Sequence, residues 1–296
     1  MDIECVSMSI TKSEYVIFTA LVGKYDEIKQ PLVVDGRFDY ILFSNDIKEP
    51  RVGVWQIKPI LFHNEDNTRV CRYVKTHPDE LLSAYKFSIW MDASMQICTS
   101  FVYERAIELS NSKIQISSMW HPIRKCIYEE AFAVMHGMVE HESVVVKWCH
   151  KLRRENYPQD NGLCETGFLY RKHTTLVQQF NKIWWNSINK YSRRDQLSFN
   201  YVLWKLGIPC HYFWGEGKNV RNTEHIQLVM HQNLRHNYCP INKNEAWLMR
   251  YCWKNKEKTN EIKELYYRLY SYPFPKLFIA IAGQIYRIKY LLENHD

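Results

Sequence analysis

The stretch Ser88-Ile89-Trp90-Met91-Asp92-Ala93-Ser94 restricts the fold of this chain more than any other. Ile89, Trp90 and Met91 form a short apolar run with a β-branched and an aromatic side chain, the pattern of a buried strand. Asp92 and Ser94 then fall where that strand emerges. In open α/β sheets, ligands bind outside the carboxyl ends of the strands. A hard cation carrying a diphosphate takes an oxygen ligand at such a position. A turn residue accepting backbone hydrogen bonds gives the same sequence pattern, so both readings stand at this point.

The chain around this stretch alternates strands and helices. Residues 16–20 and 40–44 read as strands, and 55–57 as a short third. Each of the first two ends in a polar loop, Gly23-Lys24-Tyr25-Asp26 and Asn45-Asp46, as in a parallel sheet. No GxGxxG follows the first strand, and there is no GxxxxGK[ST]. A helix over 69–75 places Arg69, Arg72 and Lys75 on one face. That face can hold a diphosphate or simply be solvated. His77-Pro78-Asp79 interrupts it. Residues 114–117 and 167–170 read as further strands, and 210–214 as a late strand or strand exit. Helices are expected from Tyr128 toward His141, over 173–189, and, preceded by Arg193-Arg194-Asp195-Gln196, up to Trp204 or Leu206. Gly207 stops the last of these, with Pro209 beyond. Residues 149–162 read as a helix end and a mobile loop suited to a lid.

Length and composition bound the class. The 296 residues allow one large domain or a core with an appendage, and the 46% hydrophobic content supports a substantial core. Residues 1–14 read as a leader, 15–222 as the catalytic body and 223–296 as a mostly helical extension. The formal charge of +7 suits phosphates or an anionic membrane. The basic residues are dispersed and no reader motif appears, which argues against nucleic acid. Nine cysteines, an odd number without a CxxC pair, read as reduced cytosolic thiols. The start of the sequence carries no apolar targeting run, and no stretch has the apolar length of a membrane span. In the last helical segment, 276–293, Leu277, Ile281, Ile285, Ile288 and Leu292 share a side, with Lys276, Arg287 and Lys289 adding charge. Such a helix can lie on an anionic membrane, pack on its own domain or meet a twin subunit. The placement expected is cytoplasmic and peripheral to the inner membrane face.

Several of these segments, taken in order, resemble a glycosyltransferase-like domain family of formerly unknown function, allied to plant mucilage-related glycosyltransferases. They are Phe18-Thr19-Ala20 with Gly23-Lys24-Tyr25-Asp26, Asp39-Tyr40 with Phe43-Ser44, Arg69, Arg72-Tyr73 and Lys75. They continue through Ser88 to Ser94, His121-Pro122-Ile123-Arg124 with Cys126, and Tyr128-Glu129-Glu130-Ala131. Gly162-Leu163, Glu165-Thr166-Gly167, Arg171, His173, Trp184-Trp185 and Arg194 to Phe199 complete the set. The resemblance implies a GT-A type α/β fold: a single domain with a Rossmann-like nucleotide-binding half and a mixed central sheet flanked by helices, here followed by a helical C-terminal extension. It also implies a nucleotide-sugar donor, UDP-linked, and an Asp-x-Asp metal motif after a strand. Here the motif is Asp92-Ala93-Ser94, in which Ser94 replaces the second acid. Mn²⁺ or Mg²⁺ would be held by Asp92 with a late histidine, His211, or His225 in reserve.

The expected chemistry follows from the leaving group. Departure of a nucleoside diphosphate needs its charge offset by a metal or by cations. That work falls to Asp92 through metal, helped by Arg72 and Lys75 beside Arg69 and Ser94. The loop from Thr19 and Ala20 to Tyr25 and Asp26 would hold the base and ribose. Asp195 and Glu165 are the carboxylates for an inverting reaction's base, or for orienting sugars if configuration is retained. His121 and Arg124 would contact phosphate or acceptor, with Glu129 and Glu130 bracing their loop. The expected function is transfer of a sugar to a glycan or glycolipid acceptor in surface polysaccharide synthesis. A nucleotide-sugar hydrolase and a non-catalytic glycan-binding or scaffold protein are the competing readings, and the Ser94 departure favours the last.

Overall fold

The computed structural model describes residues 13–24, 26–136, 139–229 and 275–293. Nearly all of the leader, Tyr25 and most of the extension expected over 223–296 lie outside the described residues. The strands are β1 (Tyr15–Ala20), β2 (Phe38–Phe43), β3 (Arg51–Val52), β4 (Trp55–Lys58), β5 (Phe87–Met91), β6 (Met95–Ile97), β7 (Ile116–Trp120), β8 (Cys164–Lys172) and β9 (Ile226–Leu228). The helices are α1 (Asn67–Thr76), α2 (Pro78–Leu81), α3 (Phe101–Ser110), α4 (Ile127–His136), α5 (Glu142–Arg154), α6 (Thr175–Lys190), α7 (Gln196–Lys205) and α8 (Pro275–Leu292). The fold is α/β, with a mixed seven-stranded central sheet flanked by helices and a C-terminal helix. The chain divides into two compact units, residues 1–119, 167–182 and 211–233 forming one and 120–166, 183–210 and 234–296 the other.

The sheet runs β3-β4-β2-β1-β5-β8-β7. β1 pairs in parallel with β2 on one side and with β5 on the other, and β2 pairs in parallel with β4. β3 and β8 are antiparallel to their neighbours β4 and β5. Central parallel strands are covered on both faces and so read as continuous apolar runs. β5 fits this, since all five of its residues are buried. β6 and β9 form a separate antiparallel ribbon after β5.

Local chemistry sets the helix ends in the first unit. Asp66 caps α1 by accepting from the Thr68 N–H at 2.9 Å. At its other end, Pro78 disfavours helical geometry at the preceding residue, and His77 sits at φ −121°. The following turn, α2, has Pro78 at its start, as expected for a residue lacking an N–H. The sequence reading did not anticipate α3. It buries Val102, Tyr103, Ala106 and Leu109 in the sheet's core cluster. The Tyr103 hydroxyl donates to Val33 O at 2.5 Å and accepts from the Tyr40 hydroxyl at 3.0 Å.

In the second unit, the Trp148 indole N–H of α5 donates to Leu197 O of α7 at 2.9 Å, fixing the two helices together. The helix end expected within 149–162 is the end of α5. Residues 149–154 finish α5, with Cys149 and Leu152 fully buried. Tyr157 beyond them is also buried, and its carbonyl accepts from the Tyr128 hydroxyl at 3.2 Å. The late strand expected over 210–214 reduces to one bridge between Tyr212 and Ser118. Gly207 ends α7 as expected, at φ +64°, a conformation glycine adopts without penalty. Among the described residues, no helix is long and apolar enough to cross a membrane.

His173, just after β8, bonds through Nε2 to the Ser88 hydroxyl of β5 at 2.9 Å. Burial, and then the nearby Arg171 guanidinium, push its imidazole down to about 4. The unfolded chain takes up this proton near the ordinary histidine value of about 6.5, whereas the folded chain resists it. Stability should therefore fall as pH drops from about 6.5 toward 4. His173→Gln should flatten that part of the curve, as read from urea midpoints at about pH 7.5 and pH 5.

Candidate active site at the carboxyl ends of the parallel strands

The chain runs from β1 outward to β2 and β4, then returns to the other side of β1 as β5. The order therefore reverses between β1 and β5, the position where such sheets open a crevice at their carboxyl ends. Asp92 lies at this point. Its backbone N–H donates to Gly167 O at 2.8 Å, extending the β5–β8 pairing by one residue. Its Oδ1 accepts from the Trp90 indole N–H at 2.8 Å and lies 3.8 Å from the Lys75 ammonium. The Lys75 side chain is 1% exposed and the Asp92 side chain 35%, so the cation is hidden behind a carboxylate that faces outward. The ammonium also stands 5.4 Å from the centre of the Trp90 ring.

The basic face of α1 is thus graded in depth. The Arg69 side chain is 21% exposed, with Nε 3.7 Å from Asp66 Oδ2. Arg72 is half-buried, and Lys75 is inside. Arg171 of β8 fixes the inner end of the helix. Its fully buried guanidinium donates to Lys75 O at 2.6 Å and to Asn181 Oδ1 at 2.8 Å, and Asn181 in turn donates to Asp79 at 2.7 Å.

A groove of about 530 Å³ opens beside the ends of β1 and β2, lined by Gly23, Asn45, Asp46, Phe62, Asn64 and Asn67 among others. Asp46 Oδ2 accepts from the N–H groups of Gly23 and Lys24 at 2.6 and 3.3 Å, both residues having positive φ. The loop after β1 therefore already holds a carboxylate in its concave turn. Asn45 clamps Ile60 by accepting its N–H and donating to its carbonyl. The Phe62 ring stacks on Tyr73 at 4.4 Å, and Tyr73 stacks on His77 at 4.0 Å. No motif pointed to Phe62, because its ring partners come from α1.

The other expected donor residues divide. Asp26 is half-buried in the loop following β1. Ala20 and Ser94 are buried. Thr19 is corrected: it shares a strand face with Ile17 and Leu21 of the core cluster and is 0% exposed. Its hydroxyl is buried and has no hydrogen-bond partner among the described residues.

The remaining expected residues lie in the second unit. Asp195 precedes α7 but does not cap it through its side chain. Its Oδ2 accepts from the Thr166 hydroxyl at 2.9 Å, and its carbonyl accepts from the Trp184 indole N–H at 3.0 Å. Glu165, one residue before Thr166 on β8, is half-buried. His121 Nδ1 accepts from the backbone N–H groups of Ile123 and Arg124 at 3.2 and 2.9 Å. Arg124 Nε donates to the buried Glu130 at 2.5 Å, and Glu129 accepts from the Lys125 N–H at 2.7 Å. His121 and Arg124 are thereby tied into their own loop.

The described residues do not by themselves fit a divalent ion. None of them form a group of three histidine, cysteine, aspartate or glutamate side chains around one point. Asp92 has one oxygen already engaged by an indole N–H and an ammonium. The choice of His211 as its co-ligand is corrected by topology. Its segment lies beyond β7, three strand spacings from β5, or roughly 14 Å. Its Nδ1 is bonded to the Ser117 hydroxyl at 2.9 Å. Ligands of one ion each stand about 2 Å from it. His225, the reserve, bonds through Nδ1 to Thr99 at 2.9 Å. In contrast, the Val229 N–H reaches Ser94 O at 2.7 Å, so the ribbon brings its far end beside the Asp92 turn.

Comparison with known proteins adds two findings. The profile of the TOD1/MUCI70, glycosyltransferase-like domain matches residues 41–215, more than half of the chain. A protein of Arabidopsis thaliana named alkaline ceramidase TOD1 is 23% identical over 229 residues, covering 66% of this chain and 49% of its own length. The chain thus spans about half the length of that curated relative.

Gly167 lies inside the matched stretch and sets the clearance around Asp92. A Cβ there would stand 2.5 Å from the Met95 methyl and 3.2 Å from Asp92 Oδ2. The methionine can swing away, but the carboxylate must shift. Gly167→Ala should cost about 1–3 kcal/mol by overpacking, read by urea denaturation. An unchanged midpoint would mean that the turn has slack.

Proposed function

Because the chain belongs to the TOD1/MUCI70 glycosyltransferase-like domain family, we propose that it moves a sugar from a nucleoside diphosphate donor, UDP-linked, to a glycan or lipid-linked acceptor. Surface polysaccharide synthesis is the setting proposed. The observation that carries this reading is the placement of the groove and Asp92 at the same ends of parallel strands that meet at the order reversal. A groove of this size suits a nucleotide. Phe62 offers it an aromatic wall, and Asp26 belongs to the loop that follows β1.

The diphosphate would then sit at the mouth of β5. Arg69 and Arg72 are the cations with exposed surface on that helix face, and they offset the leaving group's charge. Lys75 acts at one remove. It is too deeply buried to meet the donor and instead holds Asp92 in orientation. Asp92 orients the donor sugar or, together with groups outside the described residues, a Mn²⁺ or Mg²⁺ ion. Such an ion would supply Lewis acidity to the departing phosphate. Asp195 and Glu165 are the carboxylates proposed for the acceptor, with His121 and Arg124 shaping their side through the Glu130 pair.

The relative's printed name suggests a second reading, hydrolysis of a ceramide amide, and the geometry of the groove does not require a sugar. One experiment separates these. A panel of nucleotide sugars is titrated with and without Mn²⁺ against the wild type and Asp92→Ala, and products are then analysed with a glycan acceptor, without one, and with ceramide. The expected outcome is binding of one nucleoside diphosphate sugar, weakened at least about tenfold in the variant, a loss typical of one charged hydrogen-bond partner. Equal affinity in Asp92→Ala removes the anchor. Free sugar as the sole product indicates a hydrolase, and cleaved ceramide without nucleotide-sugar binding indicates the amide reaction.

A further inference from the structure

Helix α8 has two opposed faces. On one, Ala282 is buried, and Tyr286 and Tyr290 are partly buried in an apolar cluster with Phe132 of α4. On the other, Leu277, Ile281, Ile285, Ile288, Leu291 and Leu292 are all exposed, from 41% to 71%. At about 100° per residue these six side chains fall in one stripe roughly 120° wide, directly opposite the packed face. Arg287 and Lys289 stand about 40° beyond its two edges. The helix sequence PKLFIAIAGQIYRIKYLL contains no aspartate or glutamate. A contiguous apolar stripe of this kind is rarely left to water.

We propose that this face docks α8 lengthwise on an anionic lipid surface. The apolar stripe would enter the boundary between headgroups and acyl chains, and the two flanking cations would reach the lipid phosphates from either side. Charge decides between this occupant and a second copy of the chain. Paired copies would bring the like-charged flanks of both helices, Arg287 and Lys289, to one seam. An anionic surface answers both. Spanning is not the mode, since the helix is not apolar enough to cross.

The test uses the full chain and vesicle flotation, and it reads binding alone, so it is independent of any transferase activity. The wild type should float with vesicles containing phosphatidylserine and far less with phosphatidylcholine alone. Arg287→Gln and Lys289→Gln should each lower partitioning about fivefold. Ile281→Glu with Ile285→Glu, on exposed positions that leave the packed face intact, should abolish it while the circular dichroism spectrum is retained. Equal flotation with both lipids, or flotation unchanged in the double variant, overturns the proposal. So does a dimer in solution that the double variant splits, with no flotation.

A separate observation concerns two thiols. Cys164, fully buried at the start of β8, and Cys210, exposed beyond α7, have their Sγ atoms 3.0 Å apart. Asn200 of α7 brackets them, accepting from the Cys164 N–H at 2.9 Å and placing Nδ2 3.9 Å from Cys210 Sγ. A disulfide needs about 1 Å of further approach. We infer that this pair is a disulfide-forming site toward low-molecular-weight disulfides such as oxidised glutathione. The Cys210 thiolate attacks one sulfur of the oxidant and releases one glutathione. Cys164 then displaces the second, so two thiols are oxidised and one glutathione disulfide is reduced to two thiols. After incubation with oxidised glutathione, non-reducing digestion should give a peptide linking 164 to 210. Cys164→Ser should instead retain glutathione on Cys210, and Cys210→Ser should give no link. Wild type that keeps both thiols, or that stops with glutathione on Cys210, overturns the inference.

Discussion

Parallel pairing of β1 with β2 on one edge and β5 on the other forces three chain exits onto one end of the sheet. Everything proposed for the first unit follows from that constraint. The groove forms because the loops after β1 and β2 diverge from adjacent strands toward α1. Asp92 faces outward because β5 ends there, its last backbone bond made to Gly167 of β8. A side chain larger than glycine at that neighbour would crowd the carboxylate. Strand pairing, clearance and the placement of the acid are therefore a single arrangement.

Two buried cations hold the turn from behind. Burying a charge is costly unless it is paired and hydrogen-bonded. Arg171 is pushed down to about 9 by burial, with Asp79 acting in the opposite direction. It contributes a tie between β8 and the last turn of α1, where backbone carbonyls lack helical partners. That tie places Lys75 behind Asp92. Two α1 cations remain nearer the surface, and the third orients the acid. The helix thus serves the strand end both directly and through its buried end.

Some of this was legible in the sequence. The strand at 88–91 stood out because a fully buried strand leaves a continuous apolar run. The break at His77-Pro78 and the stop at Gly207 follow from the backbone chemistry of single residues. Other features depended on distant partners. Lys75 looks like a solvated cation until Trp90 and Asp92 are brought over it. Thr19 looked available because its neighbours' facing was unknown, yet it packs with Ile17 and Leu21. The β6–β9 ribbon joins residues far apart in the chain, and α3 mixes Glu104, Arg105 and Glu108 with its buried stripe. Asp195 stood out as a carboxylate, but nothing in its own segment showed that the Thr166 hydroxyl of β8 donates to it. His211 was chosen by order along the chain, but its strand position put it on the far side of the sheet.

The most direct test is a crystal structure of the chain with a nucleoside diphosphate sugar. The base should lie in the groove against Phe62, with the diphosphate at the mouth of β5, between Asp92 and the outer arginines of α1. A nucleotide bound elsewhere on the molecule, with the β5 mouth filled by its own side chains, would contradict the account.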